Sequence, residues 1–275
     1  FFLSFDDNPL SFILLALLRA SINRRTAGIF VRPNRYESND RIRACTLRYL
    51  LILLKKSAYV DLISIIPVMV CPFVERVSTK WIYDPEFFDH RLSTPRSSRV
   101  ALAEEIQRFA KGSKLLLVLG HVKPEKGLSL LRKVIIKNPS LKVCVVGQFS
   151  ASSEGWKDYF SHQGVLVKDQ FLSEDELVSL YLVSDFIWCA YSPDYDQSSG
   201  ILGRAFQYRV VSIVRPGSVA QKIMALLGAP YVQALSDGCL SRVDGSFQEP
   251  GLHLACMDMM YEHSKNALRD VLLID

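Results

Sequence analysis

The sequence predicts an α/β protein built on parallel, doubly wound sheets, and three observations carry that prediction. Apolar runs of strand length recur at Thr26 to Val31, Tyr59 to Ile66, Leu115 to Gly120, Leu141 to Gly147, Asp185 to Ala190 and Val210 to Val214. Segments with helical spacing separate them, and strands alternating with helices imply parallel pairing through crossover connections. The rhythm breaks once, at Asp84 to Arg99, where two prolines, four serine or threonine residues and several charges mark an interdomain linker. Two domains are therefore expected, 1–95 with the linker and 96–275.

Each element has a local reason. Phe1 to Phe5 reads as a strand and Pro9 to Ala20 as an apolar helix; Arg32-Pro33-Asn34 turns the chain. Asp40 is placed to cap a helix with the body Ile42 to Lys56. That helix carries Arg41, Arg43, Arg48, Lys55 and Lys56 among many leucines. The pattern fits a packed helix with a solvated basic edge, and it also fits peripheral contact with anionic lipid or a polyanionic acceptor. In the second half, helices are expected at Val100 to Ala110, Lys126 to Ile136, Ile201 to Tyr208, Ser218 to Leu227 and Leu252 to Leu273. Ser173 and Glu176 form a capping box that opens a further helix through Leu182.

Composition bounds the function. At 275 residues and 49% hydrophobic the chain can bury a large core, which excludes a disordered protein. A formal charge of +5 suits anionic ligands or a membrane surface and falls short of a nucleic-acid footprint. The six cysteines are widely spaced, several within apolar runs, which suggests a reducing, cytoplasmic setting, with the cytoplasmic face of a membrane as an option. No Cys-x-x-Cys pair occurs and the five histidines do not cluster with other ligand types, so no metal site is expected. The apolar runs at Phe12 to Leu18 and Leu62 to Val74 are too short for a membrane span. The opening residues carry neither methionine nor a basic segment; they do not resemble a signal peptide, and the chain reads as beginning at an internal position.

Two loops hold the candidate chemistry. The first, Gly120-His121-Val122-Lys123-Pro124-Glu125-Lys126-Gly127, lies between a strand and a helix, at the sheet edge where open α/β folds bind ligands. Lys126 in the first helical turn opposes the helix dipole unless an anion joins it, and His121 can donate to the same anion. A solvated lysine and an ordinary strand-end histidine are the plainer alternative. The second loop, Asp196-Gln197-Ser198-Ser199-Gly200, leads from a buried strand into a helix, and its small residues allow an anion to approach the uncapped backbone N–H groups. Simple helix capping by Ser198 or Ser199 is the alternative. Successive strand ends of a parallel sheet share one edge, so both loops can face one crevice and grip a diphosphate between an ammonium and a set of amides.

These pieces, in order from Lys114 to about Leu227, resemble the donor-binding domain of GT-B glycosyltransferases, in particular glycosyltransferase family 4. The resemblance rests on Pro124-Glu125-Lys126-Gly127 after a strand, the Val145-Val146-Gly147 strand end and Phe171 to Leu177 before a helix. It continues with Tyr181 to Asp185 before a strand and Ser199-Gly200-Ile201-Leu202 leading into Ala205. It implies two Rossmann-like domains, the first apparently truncated, and transfer of a sugar from a nucleotide-diphosphate sugar to a saccharide, lipid-linked or protein acceptor, with retention and without metal or cofactor. It also implies that Lys126 and His121 meet the diphosphate, that Ser198, Ser199 and Gly200 offer backbone donors, and that Leu172 lies where the nucleotide base rests. The family's pair of glutamates falls on Asp196, expected to position the donor sugar, and on Arg204. Arginine has no acceptor for the ribose hydroxyls that a glutamate would bind, so Arg204 implies a different donor grip, a contact with an extra anion, or lost activity. A catalytically degenerate scaffold is the alternative reading, and an epimerase acting on the same donors is a third.

Overall fold

The computed structural model describes residues 2, 4–6, 8–33, 42–90, 100–242 and 246–272, in two compact units. Unit 1 comprises Phe1–Pro85 with Ala255–Asp275, and unit 2 comprises Glu86–Leu254. The long terminal helix is thus shared between units, whereas the sequence reading assigned it whole to the second domain. Asp40 and Arg41, the Arg43 side chain, and residues 91–99 of the expected linker lie outside the described residues.

Unit 1 runs through α1 (Pro9–Ser21), β1 (Thr26–Phe30), α2 (Ile42–Lys55), β2 (Val60–Ser64), α3 (Phe73–Val77) and β3 (Lys80–Trp81). Its strands are parallel in the order β1-β2-β3; of the strand expected at Phe1 to Phe5, Phe1 and Leu3 lie outside the described residues, while Phe2 bridges Gly28 beside β1 and the Phe5 N–H donates to the Ile29 carbonyl at 3.1 Å. Gly28 has a steric reason: a Cβ there would lie 2.5 Å from the Phe12 ring, which stacks face to face on Phe5.

Unit 2 continues with α4 (Ala101–Ala110), β4 (Leu115–Leu119), α5 (Leu128–Lys137), β5 (Lys142–Val146), α6 (Glu154–His162), β6 (Leu166–Lys168), α7 (Glu174–Val183) and β7 (Phe186–Trp188). It then adds α8 (Gly200–Gln207), β8 (Val211–Val214), α9 (Val219–Leu226), β9 (Tyr231–Ala234) and β10 (Leu240–Arg242); α10 (Pro250–Leu272) begins in unit 2 and belongs to unit 1 from Ala255 onward. The strand order is β10-β9-β8-β7-β4-β5-β6, parallel except where β10 runs against β9. β4 is buried at every residue, as its unbroken Leu-Leu-Leu-Val-Leu predicts for a central strand covered on both faces. The core gathers Leu116, Val118, Leu131, Val145, Trp188 and Ile213 around it.

The strand order fixes where a ligand can sit. From β4 the chain winds outward through β5 and β6, then returns to the other side of β4 as β7 and winds the opposite way. The reversal leaves a crevice beyond the carboxyl ends of β4 and β7, the place where open parallel sheets bind ligands. Beside it, Gly147 takes φ +149, and a Cβ there would lie 1.8 Å from the Gly120 carbonyl oxygen, so the ends of β4 and β5 can approach only with glycine. Gly147→Ala is expected to cost about 1–3 kcal/mol. It should lower the denaturation midpoint at unchanged slope; an unaltered midpoint would contradict this packing.

Candidate functional site

The loops after β4 and β7 meet directly. Lys126 ends a single 3-10 turn, Pro124–Lys126, and Gly127 follows in the left-handed conformation (φ 76), so α5 starts afresh at Leu128. This corrects the expectation that Lys126 occupies the first turn of a longer helix: the break at Gly127 frees it from the α5 dipole and turns it inward. A Cβ on Gly127 would lie 2.2 Å from the Ala190 carbonyl oxygen, which puts the turn against the end of β7. The Trp188 indole N–H donates to the Lys126 carbonyl at 2.7 Å, and the Ser192 N–H donates to the Glu125 carbonyl at 3.0 Å.

Lys126 is the central feature. Only 8% of it is exposed, and its Nζ donates to the Tyr191 hydroxyl at 3.2 Å while lying 4.5 Å from the centre of that ring. No carboxylate lies within ion-pair reach of it among the described residues. Burial, with a small contribution from nearby Lys123, outweighs the pull of Cys189 and lowers its pKa from 10.5 to about 8. The Tyr191 hydroxyl in turn lies 2.9 Å from Ser199 Oγ. Lys126 is therefore joined through one hydroxyl to the residue that precedes α8. Ser199 spends its side chain on Tyr191 and does not cap α8, and the first residues of that helix, Gly200 and Ile201, line the same space.

That space is a cavity of about 390 Å³. It is lined by His121, Lys126 and the loop Ser198-Ser199-Gly200, all five singled out by the sequence and all brought together here. His121 is exposed and Ser198 is buried. The wall is apolar, from Leu177 and Val178 of α7, Tyr181 and Tyr208. The last two are stacked with ring centres 5.5 Å apart.

Arg204 also lines the cavity and is ringed by acids. Its Nε lies 2.7 Å from Glu86, its Nη1 and Nη2 meet both oxygens of Asp89 at 2.9 Å, and Nη2 reaches Glu174 at 3.3 Å. The spacing of α8 makes this possible, because Gly200, Gly203, Arg204 and Gln207 share one helical face. Gly203 has no room for a Cβ, which would lie 2.5 Å from the Glu86 carbonyl oxygen, and the Gln207 amide donates to that oxygen at 2.6 Å. The His90 backbone N–H donates to Gln207 at 2.9 Å, and its Nε2 lies 3.2 Å from Glu174. Partly exposed ion pairs of this kind contribute under about 1 kcal/mol each, so the cluster orders residues 86–90 more than it stabilises the unit.

Two predicted residues lie elsewhere. Asp196 does not line the cavity: one oxygen accepts the Val219 N–H at 2.9 Å at the start of α9, and the other pairs with Arg215 at 3.0 Å. Burial raises its pKa, opposed by that amide and by Arg215. Arg215 also donates to the Tyr191 carbonyl, so Asp196 braces the loop from behind. Leu172 is buried just ahead of the capping box of α7 and does not line the cavity, although Glu174, Leu177 and Val178 beyond it do. Sequence reasoning missed Tyr191 and Glu86. Tyr191 closes an apolar strand and reads as core; Glu86 sat in a segment read as linker.

No family model matches the chain, and no curated protein matches it in sequence. Solved structures do match. HepE from Anabaena in complex with UDP aligns at TM-score 0.60 and 12% identity over 94% of this chain and 69% of that one. The same protein with UDP-glucose gives 0.59 and 11% over 94% and 69%. An alpha,alpha-trehalose-phosphate synthase (UDP-forming) from Burkholderia vietnamiensis gives 0.54 and 11% over 94% and 67%. At such identity the likeness is one of fold, and the fold is GT-B.

A buried ammonium without a counter-ion costs stability. Lys126→Met is expected to raise unfolding free energy at neutral pH by about 1–3 kcal/mol, the shift in pKa less the lost Tyr191 contact. The sign follows from proton binding: between pH 8 and 10.5 the unfolded chain holds a proton on Lys126 that the folded chain has released. The gain should therefore be full below pH 8 and shrink as pH rises toward 10.5, measured by denaturation across that range. A gain independent of pH, or a loss, would contradict the assignment.

Proposed function

We propose that this protein is a glycosyltransferase that takes its sugar from a nucleotide-diphosphate sugar. The observation that carries the reading is the Lys126–Tyr191–Ser199 chain, which links a buried cation to the start of α8 in one crevice. A pyrophosphate supplies the negative charge that this arrangement lacks. The GT-B fold shared with UDP-bound HepE supports the same reading.

The chemistry follows from the charge. As the bond from the sugar's anomeric carbon to the diphosphate lengthens, negative charge grows on the leaving oxygen. Lys126, His121 and the amides after Ser198 are positioned to meet it without reorganising, which is the form of stabilisation worth most in a site shielded from water. Retention of configuration, and donor binding without a metal, are what the family 4 resemblance implies. We place the nucleoside against Leu177, Val178 and Tyr181. The hydroxyl acceptor that position 204 lacks is supplied there by Glu86 and Glu174, whose carboxylates Arg204 holds at the cavity edge. Arg204 thus relocates the ribose acceptor, and activity is retained.

Calorimetry with UDP as the probe tests this assignment. Lys126→Ala should weaken binding about a hundredfold or more, the cost of removing one partner of a buried charge pair. Glu174→Gln together with Glu86→Gln should weaken UDP while leaving inorganic pyrophosphate unchanged. Equal UDP affinity in wild type and Lys126→Ala would overturn the diphosphate site. Failure to hydrolyse or transfer sugar from any of a panel of nucleotide sugars would overturn the transferase reading.

A further inference from the structure

The α1 helix of unit 1 is apolar except for Ser11, Arg19 and Ser21, the two serines falling among the leucines of its outer side. Its inner stripe, Phe12, Ile13 and Ala16, is buried over the sheet. Its outer side is Leu10, Leu14, Leu15, Leu17, Leu18 and Ile22, all exposed, with Leu14 at 62% and Leu18 at 67%. At 3.6 residues per turn Leu17, Leu10, Leu14, Leu18 and Leu15 cover an arc of about 160°. A water-facing helix normally carries polar residues there, and contiguous exposed apolar surface marks a docking face. Alongside, α2 packs against α1 and adds exposed Tyr49 and Leu53.

Charge selects the occupant. Neither α1 nor α2 contains an acidic residue. Both helices lead into parallel strands whose starts are paired, Thr26 opposite Val60, so their basic ends collect on one edge: Arg19, Arg24 and Arg25 from the first, Lys55 and Lys56 from the second. Asp61 answers Arg25. At 13 residues α1 is about 20 Å long, short of the roughly 30 Å of hydrocarbon, and among the described residues no helix is long and apolar enough to cross a membrane. A helix with one leucine-covered side and a basic fringe lies in the plane of a bilayer surface. We propose that the outer face of α1, flanked by α2, docks on anionic lipid, its leucines entering the boundary between headgroups and acyl chains and its basic edge meeting the headgroups.

Vesicle flotation of the whole chain tests the docking surface. Vesicles of phosphatidylcholine with phosphatidylserine should carry the wild type, and vesicles of phosphatidylcholine alone should carry much less. Leu14→Glu with Leu18→Glu should reduce partitioning about tenfold or more, and Arg24→Glu with Lys56→Glu should do the same in a way that added salt reproduces. Both variants alter exposed side chains; unchanged thermal unfolding and unchanged UDP calorimetry identify the loss as a surface effect. Equal partitioning of wild type and the Leu14/Leu18 variant, no partitioning to anionic vesicles, or a soluble dimer that the leucine substitutions dissolve would each overturn the proposal, the last by giving the face to a second copy.

Discussion

Lys126 is held inside the protein with a tyrosine hydroxyl beside it and, among the described residues, no carboxylate within ion-pair reach; the candidate site is built around this unfinished electrostatic arrangement. The strand reversal between β4 and β7 opens the crevice. Gly127 allows the turn to lie on the end of β7, Trp188 and Ser192 pin its backbone, and Arg215, braced by Asp196, holds the loop carrying Tyr191. Each contact limits where the ammonium can go. A flexible lysine on the surface would find water or an acid instead; this one is held beside the Tyr191 hydroxyl.

The α8 helix contributes to the cavity with its start and with one of its faces. Its uncapped start faces the ammonium, while the face formed by Gly200, Gly203, Arg204 and Gln207 grips residues 86–90. Glu86 and Arg204 are far apart in sequence, so their pairing at the cavity is visible only when the chain is folded.

What the sequence disclosed, it disclosed through periodicity and small residues. The buried strands around β4 are uninterrupted apolar runs, and the capping box at Ser173 announces α7 directly. The short edge strands β6 and β10 did not stand out, since three residues with partial exposure carry no periodic signal. The α6 helix was hidden by its polar, aromatic-mixed sequence. At the site, both loops were legible from glycine, proline and serine placement. Tyr191 was not, because its role comes from a lysine 65 positions away, and Asp196 looked available only because its partner, the start of α9, was not yet in view.

The most direct measurement is the protonation of Lys126 itself, followed by NMR of its labelled Nζ with and without UDP. The free protein should titrate near pH 8. With UDP bound, the phosphate charge should hold the proton and move titration to the ordinary lysine range near 10.4 or above. A midpoint that stays where it was while UDP is bound would mean that the diphosphate does not meet this ammonium.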